Sequence, residues 1–165
     1  MTRERIIVIM GSKSDLHFAK RIGDFLQKEG FTANCEYIIS SAHRTPEVLL
    51  NKLKKHRDLD ANIVYVTIAG LSDALSGVVA GFSTNPVIAC PPDVDKFGLT
   101  KVFSSAMTPT GVPVLFVFKP ENAALAAVRI LSFSAPSLRR QMEKYLQKKR
   151  EAVVEADNEI SHQNV

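Results

Sequence analysis

Residues 32–57 read TANCEYIISSAHRTPEVLLNKLKKHR, and they hold a strand, a sharp turn and a helix start in one short stretch. Thr32 to Ile39 is strand-like. Glu47 to Arg57 carries Val48, Leu49, Leu50 and Leu53 as a partial apolar face at helical spacing. Between them lies Ser41-Ala42-His43-Arg44-Thr45-Pro46. Thr45 is placed to cap the helix and Pro46 to be its first residue, where a missing N–H is no loss. An imidazole, a guanidinium and several hydroxyls therefore meet at the carboxyl end of a strand beside free helical N–H groups. In open α/β sheets ligands bind at that position. The same residues also suit a plain capped turn with a solvated Arg, so their meaning depends on what the rest of the chain places beside them.

Outward from this stretch, strand-like and helix-like segments alternate. Arg5 to Met10 (RIIVIM) is a buried-strand run, and Asp15 to Glu29 is a helix with Phe18, Ile22, Phe25 and Leu26 on one face. Asn62 to Ala69 is a third strand, followed by a Gly- and Ala-rich helix from Ser72 to Phe82. Pro86 to Cys90 and Val112 to Phe118 are the fourth and fifth strands; Pro120 to Phe133 is an Ala-rich helix. Pro136 opens a long charged helix to Glu159, with Leu138, Met142, Tyr145, Leu146 and Val153 as its apolar set. The connection from Pro91 to Gly111 reads as loop-rich. Five strands separated by helices predict a parallel five-stranded sheet with helices on both faces, a doubly wound α/β layout. Residues 1–134 form the α/β unit, and residues 135–165 are an extended C-terminal helix and tail expected to pack on a neighbouring subunit.

Composition narrows the function. A 165-residue chain with 45% hydrophobic and 23% charged residues is one ordinary globular domain. No apolar run spans a bilayer and Met1 to Arg5 lacks a signal-peptide layout, so the cytoplasm is the expected location. Cys35 and Cys90 sit in separate apolar contexts and read as buried free thiols rather than a disulfide or zinc pair. The net charge of +4 comes largely from residues 139–150, which read as a solvated helix face rather than a nucleic-acid groove.

Chemistry concentrates in three loops that open on one sheet edge. The first is Gly11-Ser12-Lys13-Ser14-Asp15, a phosphate cradle if hydroxyls and a cation join the helix N-terminus, and otherwise a helix cap formed by Ser14 or Asp15. It is neither G-x-G-x-x-G nor a P-loop. The second is the His43-Arg44 turn, and the third is Gly70-Leu71-Ser72-Asp73. Together Ser12, Asp15, Ser41, His43, Arg44 and Ser72 would make a site with an anion end, served by the planar Arg44 fork, and a hydroxyl end, served by Asp15. His43 is the member whose side-chain type exchanges protons near neutrality. His17, His56 and His162 lack such company; no metal-ligand spacing or nucleophile elbow is present. The chemistry indicated is acid–base at one histidine, with no metal, cofactor or covalent nucleophile.

Met10 to Asp15 together with Ser41 to Pro46 resembles the aminoimidazole ribonucleotide carboxylase and carboxyaminoimidazole ribonucleotide mutase family (PurE) of purine biosynthesis. The resemblance continues through Ala69-Gly70, Pro86-Val87-Ile88, Met107 to Pro113 and Asn122 to Leu125. It implies a flavodoxin-like three-layer sandwich, an octamer, and a ribonucleotide substrate carboxylated with carbon dioxide or bicarbonate. It further implies substrate phosphate near Ser12, Ser41 and Arg44, ribose hydroxyls at Asp15, substrate contacts from Ser14, Gly70 and Ser72, and His43 as the proton-transfer residue. Mutase-type members carry a histidine where Ala74 stands, and Cys90-Pro91-Pro92 and Val102 to Ser105 look like the carboxylase branch. His43-Arg44-Thr45-Pro46 is the mutase-like version. Carboxylation at ring carbon C4 is the expected reaction, with the mutase as alternative. A flavin electron carrier would need ring-stacking aromatics that are scarce here, and a phospho-receiver would need an aspartate where Ala69-Gly70 stands.

Overall fold

Five parallel strands in the order β2-β1-β3-β4-β5 organise the chain, in a computed structural model that describes residues 3–163. Met1 and Thr2, and Asn164 and Val165 of the expected C-terminal tail, lie outside those residues. The elements run β1 (Glu4–Met10), a 3-10 turn (Lys13–Asp15), α1 (Leu16–Lys28), β2 (Asn34–Ile39), α2 (Pro46–Arg57), β3 (Asn62–Ile68), α3 (Ala74–Phe82) and β4 (Val87–Ala89). They continue with α4 (Val94–Phe97), α5 (Leu99–Ala106), β5 (Leu115–Phe116), α6 (Pro120–Leu131) and α7 (Pro136–Gln163).

β1 and β3 are central because they are apolar on both faces. Ile6, Val8 and Met10 of β1 join Val64, Val66 and Ile68 of β3 against α1, α6 and the start of α7. The alternate residues, Ile7, Ile9, Ile63 and Tyr65, face Leu49 and Leu53 of α2 and Leu75 and Val79 of α3. Each such buried aliphatic side chain contributes about 1.5–3 kcal/mol relative to exposure. The strand order is that of the flavodoxin-like fold, whose switch point lies between β1 and β3.

Several expectations shift. The fifth strand shrinks from residues 112–118 to Leu115–Phe116, because it has one short partner, β4, and Pro113 cannot join a ladder. The stretch from Pro91 to Gly111 is not mostly loop but holds α4 and α5, divided at Gly98 with φ +54°. The third-loop helix starts at Ala74 rather than Ser72, with Asp73 capping it through its side chain on Ser76 N–H at 3.0 Å. Val48 is exposed, leaving Leu49 and Leu53 as the buried face of α2. Cys90 is buried, which pushes its thiol up to about 12, whereas Cys35 is only half-buried.

α7 divides along its length. Leu138 and Met142 are buried, Tyr145 and Leu146 pack on the core, and Lys148 and Lys149 pair with Glu29 at 3.1 and 3.5 Å. Beyond them Val153, expected in the apolar set, is 70% exposed, as are Val154 and Ile160 in large part.

Candidate active site

Three βα loops meet at the carboxyl ends of β1, β2 and β3, on the switch point. Gly11 N–H donates to Ile68 O at 2.9 Å and Ser40 N–H to Met10 O at 2.9 Å, so the ladder itself brings the loops together. They enclose a cleft of about 550 Å³. All eight residues expected at the site, Ser12, Ser14, Asp15, Ser41, His43, Arg44, Gly70 and Ser72, line it.

The first loop is fixed by its own hydroxyls. Ser12, rather than Ser14 or Asp15, is the capping residue; its Oγ accepts from Ser14 N–H at 3.3 Å and from Ser14 Oγ at 3.0 Å. Asp15 precedes α1 without a side-chain cap bond. Its carboxyl is held above the usual carboxylate range, chiefly by burial, with the Asp93 charge adding. Hydrogen bonds from the Ser12 backbone and the Ser14 side chain, and the Lys101 charge, oppose the rise.

The second loop departs from the expected cap. Thr45 occupies the N-cap position and Pro46 opens α2, but the Thr45 side chain turns back. Its Oγ1 accepts from Ser41 N–H at 3.0 Å and donates to Ser41 O at 3.2 Å. Ser41 Oγ accepts from Arg44 N–H at 3.2 Å. The two side chains close the turn on itself, which leaves His43 and Arg44 exposed at its outer side. Arg44 Nη2 reaches the first loop and donates to Gly11 O at 3.4 Å.

The third loop contains what the sequence reading missed. Leu71 has φ +56°, a left-handed conformation that costs a non-glycine residue about 1–2 kcal/mol. Asp93 and Lys101, both in the segment expected to be loop, bracket it. Asp93 Oδ2 accepts from Leu71 N–H and Lys101 Nζ donates to Leu71 O, both at 2.7 Å. Lys101 is 1% exposed, which lysine tolerates only when paired. A cation inside a short amphipathic helix carries no periodic mark in sequence, so nothing local announced it.

Among the described residues, no group of three or more His, Cys, Asp or Glu is placed to hold a metal ion, and no helix is long and apolar enough to cross a membrane. Fold and cleft together define a flavodoxin-like α/β protein whose switch-point site offers hydroxyls, a guanidinium, a carboxyl and an imidazole to a small anionic, hydroxylated molecule. The AIR carboxylase family profile matches residues 5–152. The chain is 41% identical over 156 residues to the phosphoribosylaminoimidazole carboxylase of Archaeoglobus fulgidus, spanning 94% of this chain and 84% of that protein. It is 38% identical over 157 residues to the N5-carboxyaminoimidazole ribonucleotide mutase of Methanocaldococcus jannaschii, spanning 94% of this chain and 96% of that protein. The crystal structure of Treponema denticola PurE superposes with a TM-score of 0.89 at 36% identity, covering 94% of this chain and 98% of that one. The chain belongs to the AIR carboxylase family.

Proposed function

We propose that this protein carboxylates 5-aminoimidazole ribonucleotide at C4 with carbon dioxide, as a cytoplasmic step of purine biosynthesis. The observation that carries the reading is the convergence of Asp15, His43 and Arg44 in one cleft at the switch point. Arg44, Ser12 and Ser41 take the phosphate, with Ser14 beside them; Asp15 accepts from the ribose hydroxyls; Gly70 and Ser72 border the base. The electron-rich C4 attacks carbon dioxide, forming the C–C bond while one C–O π pair moves onto oxygen. C4 is then tetrahedral and still carries its hydrogen. His43 takes that proton, the C–H electrons return to the ring, and the product leaves as a carboxylate. Holding the reactants together supplies much of the acceleration. The chemistry calls for no ATP, biotin or metal.

Ala74, half-buried at the start of α3, supports the carboxylase over the mutase, because an alanine cannot relay a carboxyl group or its proton. Arg44 and the mutase of M. jannaschii support the alternative, in which the N-carboxyamino isomer is the substrate. We further propose that the protein is an octamer in which residues 135–165 extend residues 1–134 onto a neighbouring subunit.

The test supplies 5-aminoimidazole ribonucleotide and bicarbonate without ATP, against the N-carboxyamino isomer alone. Turnover of the first substrate is expected; efficient turnover of the isomer alone sinks the carboxylase reading. His43→Asn is expected to bind nucleotide normally while losing about 10²–10⁴-fold in kcat. Near-normal turnover by that variant refutes the role given to His43.

A further inference from the structure

The third loop of the cleft does not support itself. Three of its backbone polar groups are satisfied by side chains from the segment between β4 and β5. Asp93 takes Leu71 N–H, Lys101 holds Leu71 O, and Ser104 Oγ accepts Asp73 N–H at 2.9 Å. Lys101 and Ser104 lie one turn apart on α5 and so present one face to the loop. Asp93 also backs Gly70: a Cβ added there would stand 3.4 Å from Asp93 Oδ2. The pair is not a simple mutual ion bridge. Lys101 Nζ lies 3.8 Å from Asp93 Oδ1, an oxygen that is buried without a hydrogen bond, while both charges spend their short bonds on the two sides of Leu71. Two buried or half-buried opposite charges aimed at one residue's backbone, which itself sits in a left-handed conformation, are a device for holding that conformation.

We propose that Lys101 and Asp93 are positioning residues: together they clamp the Gly70–Asp73 loop in its left-handed turn and thereby set the turnover of the carboxyl chemistry without touching substrate. The proposal rests on the carboxylation reading above. It places the main effect on kcat, because phosphate and ribose are assigned to the other two loops, which the clamp does not hydrogen-bond and reaches only through the opposed Asp93 and Lys101 charges felt at Asp15.

Lys101→Met keeps the aliphatic stem and removes the donor. With 5-aminoimidazole ribonucleotide and bicarbonate, kcat is expected to fall by about 10²-fold, the size of effect a misplacement of about 1 Å produces, while KM for the nucleotide stays within about threefold. Asp93→Ala, which frees the opposite side of Leu71, is expected to repeat the pattern and serves should Lys101→Met fail to fold. Adding Leu71→Gly to either variant is expected to recover part of kcat, since glycine takes a positive φ without help. Unchanged kcat in both single variants overturns the proposal. So does a parallel loss of kcat and nucleotide affinity without recovery by Leu71→Gly, which would mark the pair as fold supports only. If the parent protein itself fails to carboxylate, the functional reading has failed; amide exchange then decides the clamp, expected slow at Leu71 and Asp73 in the parent and fast in Lys101→Met, with equal rates refuting it.

Discussion

Asp15 is held against its own charge. Burial raises its pKa and Asp93 adds to the rise, so the ionised form, which on the proposed reading accepts from sugar hydroxyls, is disfavoured relative to a free aspartate. For a carboxyl whose folded pKa exceeds its unfolded one, folding loses stability as pH rises through the folded value. That cost is absent below the unfolded value and complete above the folded one. Asp15→Asn is therefore expected to raise the melting temperature of the free protein near neutral pH, with the gain vanishing in acid. With Asp15 holding the ribose as proposed, the same raised pKa is expected to make nucleotide affinity fall on acidification sooner than an ordinary aspartate would allow, and Asp15→Asn is expected to bind weakly with that limb flattened. Thermal melts and nucleotide titrations between mildly acid and neutral pH check both; a variant less stable than the parent at neutral pH contradicts the assignment. At this scale much was readable from sequence. His43, Arg44, Ser12 and Asp15 announce themselves because chemistry-bearing types crowd the ends of strands. Asp93 and Lys101 do not, since a buried ion is recognised only by the partner that folding brings to it. Thr45 stands at the N-cap as expected, but its side chain closes the turn on the Ser41 backbone instead of capping the helix, a choice a threonine before proline leaves open.

Among the elements, β1 and β3 were legible because unbroken apolar runs match burial on both faces, and α2 because Leu49 and Leu53 recur at helical spacing. β5 and α5 were not. Val112 to Phe118 has the composition of a strand, but a strand needs neighbours, and only Leu115 and Phe116 find them on β4. α5 was hidden behind the three prolines of its segment, none of which lies within it. α1 carries a constraint of another kind. Gly23 N–H donates to the Tyr37 hydroxyl at 3.0 Å, and a Cβ at position 23 would overlap that hydroxyl. Helix propensity alone favours alanine at such a site by about 1 kcal/mol. Here Gly23→Ala is expected to destabilise by about 1–3 kcal/mol through overpacking between α1 and β2. Tyr37→Phe in the same background should relieve most of the loss. Denaturant midpoints at constant slope measure it, and a stabilised Gly23→Ala would show that propensity wins over the clash.

Over the whole molecule, the two-sided apolar strands dictated the doubly wound architecture, and the order 2-1-3-4-5 then fixed where the three loops had to open. What sequence could not fix is the reach of α7, because a helix with a diluted apolar set packs as far as its neighbours permit. Its first turns belong to this chain's core, and Glu29 grips Lys148 and Lys149 at the point of departure. Val153, Val154 and Ile160 beyond that point stay exposed among the described residues. Removal of residues 151–165 is expected to leave the rest of the fold intact and, with the proposed octamer built through α7, to reduce the particle mass in sedimentation. An unchanged particle mass argues against their packing on a neighbour.

On the proposed reading, a phosphate that reaches Arg44 meets a guanidinium that already donates to Gly11 O. Binding there would be an exchange of acceptors, in which a long bond to a neutral carbonyl is traded for an ion pair with the phosphate oxygens. Each such exchange would also release the Gly11 carbonyl, so occupancy at the anion end would be felt in the first loop beside Asp15, the residue proposed to meet the sugar. Ligands lacking a phosphate would leave that carbonyl engaged and meet the first loop in its resting arrangement.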